Sequence, residues 1–190
     1  NQTENQTENQ PGFSMGKTEN NLYNNDFLGL QFRLPEGWVF YTDAQILELN
    51  NIVKDEVLDE EVVKQLENAT IVYDMYASNQ AEGSNVNVNM EKLSLLQIAT
   101  LDIKKTLESQ MDTIRSTYEN VGYTDVNIAY QKVTVDGKEF DSLQSTAKIQ
   151  GMDFYMVAFA FRKGNYLVSV TVGSLLTDKT ADILSCFTVK

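Results

Sequence analysis

The chain has 190 residues, is 42% hydrophobic, and carries a net charge of −12 with a pI near 4.4. That charge argues against a nucleic-acid partner, which requires Lys and Arg to neutralise phosphates, and against adsorption to anionic lipid. The chain has no histidine and one cysteine, Cys186. This excludes Ser–His and Cys–His catalysis, a Cys-cluster zinc site and an internal disulfide.

The first ten residues repeat NQTE without one apolar side chain, and the polar stretch continues to Asn21. Such a segment cannot offset its ordering entropy by burial, so residues 1–21 are expected to be a disordered tether. The composition matches the spacer of a mature bacterial lipoprotein, with the lipid-bearing cysteine upstream of Asn1. Any membrane contact would run through that anchor, which is absent from this chain. The plainer reading is an ordinary disordered N-terminus of a cytosolic protein. No run of eighteen apolar residues occurs, so no membrane-spanning helix is expected.

A single domain is expected over residues 22–190. Leu30, Phe32 and Leu34 alternate with polar residues and predict a strand. Pro35 and Gly37 end it, and Trp38–Tyr41 starts the next. Asp43 is expected to cap a helix from Ala44 to about Val53. A second helix over Glu56–Glu67 carries Leu58, Val62 and Leu66 on one stripe. Strands are expected over Ile71–Ala77 and Asn85–Met90. Thr100 is expected to cap a long helix through Ile103, Leu107, Met111, Ile114, Tyr118 and Val121, ended by Gly122. Four strands follow, beginning with a hairpin at Asp136-Gly137, and a helix over Asp178–Phe187 closes the chain. Tight hairpins without βαβ units imply an α+β fold, an antiparallel sheet sandwiched by helices.

This arrangement resembles the PsbP-like α/β sandwich family, in its branch of bacterial extracytoplasmic lipoproteins. The likeness rests on Leu34-Pro35-Glu36-Gly37-Trp38, on strand pairs around a long helix, on the meander through Asp136-Gly137-Lys138-Glu139-Phe140 and Gly164-Asn165-Tyr166, and on the closing helix. It covers about residues 22–190 and implies a fold, not an activity. The acidic run at Asp55–Glu61 has no counterpart in that pattern.

That run places Asp55, Glu56, Asp59, Glu60 and Glu61 near a helix start. Carboxylates there suit the helix dipole on a solvated face. A calcium or magnesium site is the sharper alternative, but no Asp-x-Asp-x-Asp-Gly loop is present, and no metal or other cofactor is expected. Asp74 stands among apolar residues and reads as a hydrogen-bonded structural aspartate, with a raised pKa if buried. Cys186 reads as a core thiol. The Asn85, Asn87, Asn89 row could hydrogen-bond a sugar or a peptide; the plainer reading is the wet face of a strand. Trp38, Tyr41, Tyr73 and Tyr76 could join it as a binding surface, or could be ordinary packing. By simple alternation Tyr73 and Tyr76 fall on opposite faces.

The expected function is a non-enzymatic extracytoplasmic module that binds a protein or envelope component. The alternatives are a carboxylate- or metal-dependent hydrolase and a cytosolic partner-binding protein.

Overall fold

The computed structural model describes residues 12–53 and 59–190. Two antiparallel sheets stack face to face. The smaller runs in the order β1 (Lys17–Glu19), β2 (Leu22–Asn25), β3 (Leu30–Arg33), β11 (Phe187–Val189). The larger runs β4 (Val39–Phe40), β5 (Ile71–Asn79), β6 (Ser84–Lys92), β10 (Tyr166–Leu175), β9 (Met152–Lys163), β8 (Lys138–Ile149), β7 (Tyr123–Val135). The α+β antiparallel class expected from the sequence is present. The layer on one face of the large sheet, however, includes a second sheet as well as helices.

Period-two patterning builds the core between the sheets. Val86, Val88 and Met90 of β6 and Val168, Val170 and Val172 of β10 are wholly buried there. They meet Leu30 and Phe32 of β3 and Phe187 of β11 in one cluster. Phe32 and Phe187 are paired across the strands, with ring centroids 4.7 Å apart. The register of the pair explains why the closing helix is shorter than expected. Only Thr180–Leu184 (α5) is helical, and Phe187 is used as a strand residue.

The opposite, outer face of the large sheet is covered in part by α3 (Leu95–Thr100) and α4 (Ile103–Asn120). Leu107 of α4 packs with Leu143 and Ala160, flanked by Met111, Ile114 and Ile128. Helix α4 lies over β7 and β8. Its cap is Asp102, whose side chain accepts from the Lys105 amide, and not Thr100, which ends α3. Ser94 and Gln97 form a capping box that nucleates α3 as a separate helix. In the same way Thr42, with Gln45, caps α1 (Asp43–Leu49) in place of Asp43. Helix α1 stops short of Val53 because Asn50 and Asn51 terminate it, Asn51 at φ 59°. Helix α2 covers Asp59–Asn68.

The folded unit also starts earlier than residue 22. Phe13 stacks on Tyr166 with centroids 5.3 Å apart, and β1 pairs with β2 through a turn in which Asn20 and Asn21 both have positive φ. The rest of the expected tether, residues 1–11, lies outside the described residues. Among the described residues, no helix is long and apolar enough to cross a membrane.

Candidate functional site

Strand register gathers most of the candidate residues on the outer face of the large sheet. Asn87 of β6 is flanked by Tyr76 of β5 and Thr171 of β10, and Thr171 by Ala158 of β9. One row further along, Asn89 lies between Tyr73 and Ser169, and Ser169 is paired with Ala160. Asn85 faces Gly173, and its amide stands 3.2 Å from where a Cβ on that glycine would be. A glycine there leaves the asparagine room to lie flat on the sheet.

Tyr73 and Tyr76 therefore share a face, contrary to simple alternation. The cause is a β-bulge: the pairing slips between Tyr73 and Met75, so Asp74 is the extra residue. Asp74 turns inward and is buried. Its carboxylate accepts from the Gly16 amide at 2.7 Å, the Tyr23 hydroxyl at 2.5 Å and the Asn25 side-chain amide at 2.8 Å. Burial pushes its pKa up, against the lowering effect of these three hydrogen bonds. Asp74 is the hydrogen-bonded aspartate expected from the sequence, and it holds the bulge that aims both tyrosines outward. On the open edge of β5, Asn50 pairs both main-chain groups of Tyr73.

Tyr41 completes the aromatic end of this surface. Its ring lies 4.4 Å from that of Tyr76, tilted by 37°. Trp38 does not join them. It is 8% exposed and packs edge-on against Phe32, 6.4 Å away, in the core between the sheets. Alternation explains the split, since Trp38 and Phe40 point inward while Val39 is exposed.

Helix α4 covers β7, β8 and part of β9, and a trough of about 390 Å³ runs between the helix and Asn89, Ser169 and Thr171. Ala158 and Ala160 form its floor, Asn89, Ser169 and Thr171 one wall, and Gln110, Thr113 and Thr117 of α4 the other. The α4 and β10 residues were missing from the sequence expectation. Alternation in β10, with Val168, Val170 and Val172 inward, already implied that Ser169 and Thr171 face out. Their position beside the asparagines is set by strand pairing. Glu91 is the one charged residue lining the trough. Among the described residues, the asparagine side chains make one hydrogen bond to each other, Asn89 Nδ2 to Asn87 Oδ1 at 3.4 Å.

A second cavity of about 710 Å³ lies between β1, α1, α2 and β5, walled by Ile46, Leu47, Val62, Leu66 and Met75 and also by Tyr41 and Tyr76. Asp74 reaches its wall but is already engaged by three donors. Of the acidic run, Asp55 and Glu56 lie outside the described residues; Asp59, Glu60 and Glu61 form the exposed first turn of α2. Among the described residues, no group of three or more His, Cys, Asp or Glu is placed to hold a metal ion. Cys186 is half-buried against the core, and burial pushes its thiol pKa up.

No protein-family model matches the chain. No curated protein matches it either. Among solved structures it is similar to cyanobacterial PsbP (CyanoP) from Synechocystis sp. PCC 6803, at 13% identity, over 94% of this chain and 95% of that one, with a TM-score of 0.47. The chain is also similar to LpqN, a protein involved in cell envelope biogenesis of Mycobacterium tuberculosis. That match has 8% identity, covers 83% of this chain and 76% of that one, and has a TM-score of 0.44.

Proposed function

We propose that the chain is a non-enzymatic binding module of a bacterial envelope, working outside the cytoplasm, and that it binds an envelope component or protein through the outer-face trough. The polar NQTE repeat supports the extracytoplasmic part as a spacer between domain and membrane.

One observation carries the binding part. Asparagine is a poor strand former, yet β6 has it at three successive outward positions. Among the described residues, the one side-chain hydrogen bond these amides make is Asn89 to Asn87, and the strands on either side are paired through their backbones. Groups that cost sheet stability and add only one long hydrogen bond to the fold are best explained by a ligand.

The test has two arms. Fractionation of cells expressing the full gene product should place the protein outside the cytoplasm; recovery in the cytosol contradicts that part. A photo-crosslinking residue at Tyr76 should form an adduct in cells, and one at Lys138, on the far hairpin, should not. Adducts at Lys138 alone, or equally at both, contradict the assignment of the surface.

A further inference from the structure

Resting on that reading of the trough, we infer that its ligand is a neutral glycan, bound along the row Tyr76, Asn87, Thr171, Ala158 by side chains alone.

The row crosses four neighbouring strands. With strands about 4.8 Å apart it extends roughly 14 Å, long enough for an extended oligomer rather than a single small molecule. Its chemistry selects among oligomers. A peptide recognised by a sheet usually adds as a strand at an open edge, where unpaired main-chain groups give affinity. Here β6, β10 and β9 are each paired on both sides, and Asn50 occupies the edge of β5 at Tyr73. The surface offers a peptide backbone almost nothing, because what projects from it is side chains.

Those side chains include amides and hydroxyls, set beside an apolar lining of Leu107, Ile114, Leu143 and Met156. Each asparagine presents both donors and an acceptor, and each serine or threonine hydroxyl does the same. A sugar hydroxyl is likewise donor and acceptor, so the match is group for group. The trough is nearly uncharged although 22% of the chain's residues are charged. A cationic ligand would find little to pair with here, and an anionic one would face the repulsion of a chain at −12. Outside the trough, beyond Asn87 on the same sheet face, Tyr41 and Tyr76, which also wall the cavity beside Asp74, supply an aromatic platform, apolar in body and polar at the tip, against which the C–H face of a sugar ring can pack. The trough's volume of about 390 Å³ is within the usual range of binding pockets.

The experiment titrates the ¹⁵N-labelled full chain with chitohexaose, cellohexaose, maltohexaose and mannohexaose, with hexagalacturonate as the charged control and a neutral Ser/Asn/Gly decapeptide as the peptide control. At least one neutral hexasaccharide is expected to shift the side-chain amide signals of Asn85, Asn87 and Asn89. Hexagalacturonate and the decapeptide should leave them in place. Tyr76→Ala, checked for an unchanged fold by its backbone spectrum, should weaken that binding at least tenfold, and Thr171→Trp should abolish it by filling the trough. If the decapeptide, the charged sugar or a protein crosslinked at Tyr76 shifts these amides and no neutral sugar does, the glycan assignment is wrong while the binding surface stands. If nothing shifts them and no adduct forms at Tyr76, both fall together.

Discussion

Tyr73 and Tyr76 are three residues apart in one strand, yet they face the same way, opposite Asn89 and Asn87. The bulge at Asp74 makes this so, and three donors on the inner side hold Asp74 in place. A buried structural contact thus sets the geometry of an exposed surface. Asp74→Leu should remove the reason for the bulge. The expected result is a shift in pairing along Ile71–Met75, seen as altered amide signals for Tyr73 and Asn89, with reduced binding at the trough. Unchanged signals on both strands would show that the bulge does not depend on Asp74.

The same aspartate gives a pH dependence. Its folded pKa is raised by burial above the ordinary value of about 3.9. Folding therefore favours the protonated form. The stabilisation is fully present below the unfolded value and is lost as pH rises through the folded one. Relative to Asp74→Asn, which does not titrate, the wild-type chain should lose stability as pH is raised across that window. Urea unfolding of both proteins from pH 3.5 to 7 measures the difference, and a wild-type advantage that grows with pH would contradict it.

Asn50 replaces a missing strand partner at Tyr73, accepting from its N–H and donating to its carbonyl, each at 2.8 Å. It also blunts an open edge, where another chain could pair. Asn50→Ala should cost about 0.5–1.5 kcal/mol per hydrogen bond at most, since water can replace exposed partners. Amide hydrogen exchange should show Tyr73 losing protection while Val88 does not. Equal protection of Tyr73 in both proteins would count against this role.

Trp38 is the chain's sole tryptophan and belongs to the core, against Phe32. Trp38→Ala should destabilise by about 3–5 kcal/mol, as large aromatic truncations do. Denaturant unfolding followed by circular dichroism measures it. A variant of full stability that fails to bind would move Trp38 back among the binding residues.

Much of the fold is legible where the pattern is long. The alternation of β6, the four-and-three spacing of α4 and the Asp136-Gly137 turn, at φ 49° and 74°, all appear where the sequence places them. Short elements are not legible in the same way. Strands β1 and β11 have three residues each and exist because a partner strand pairs with them. Helix α3 was signalled by Ser94 and Gln97, a capping box hidden by the stronger helix that follows.

For the candidate site the limit is different. The asparagine row, Tyr41, Tyr73 and Tyr76 could be picked out by residue type, and Trp38 was grouped with them as another aromatic with a polar tip. Two facts needed the tertiary structure. A bulge reverses the alternation of β5, and the register of β6 with β10 puts Ser169 and Thr171 beside asparagines about eighty positions earlier in the chain.

The central claim is that the outer face, from Tyr41 and Tyr76 to Thr171, is a binding surface. The most direct measurement is the side-chain amide spectrum of Asn85, Asn87 and Asn89 in the full chain, titrated with solubilised envelope components. The account predicts that these three signals shift in the wild type and stay in place in Thr171→Trp. Shifts confined to the acidic first turn of α2 or to the cavity beside Asp74, with the three asparagines unmoved, would contradict it.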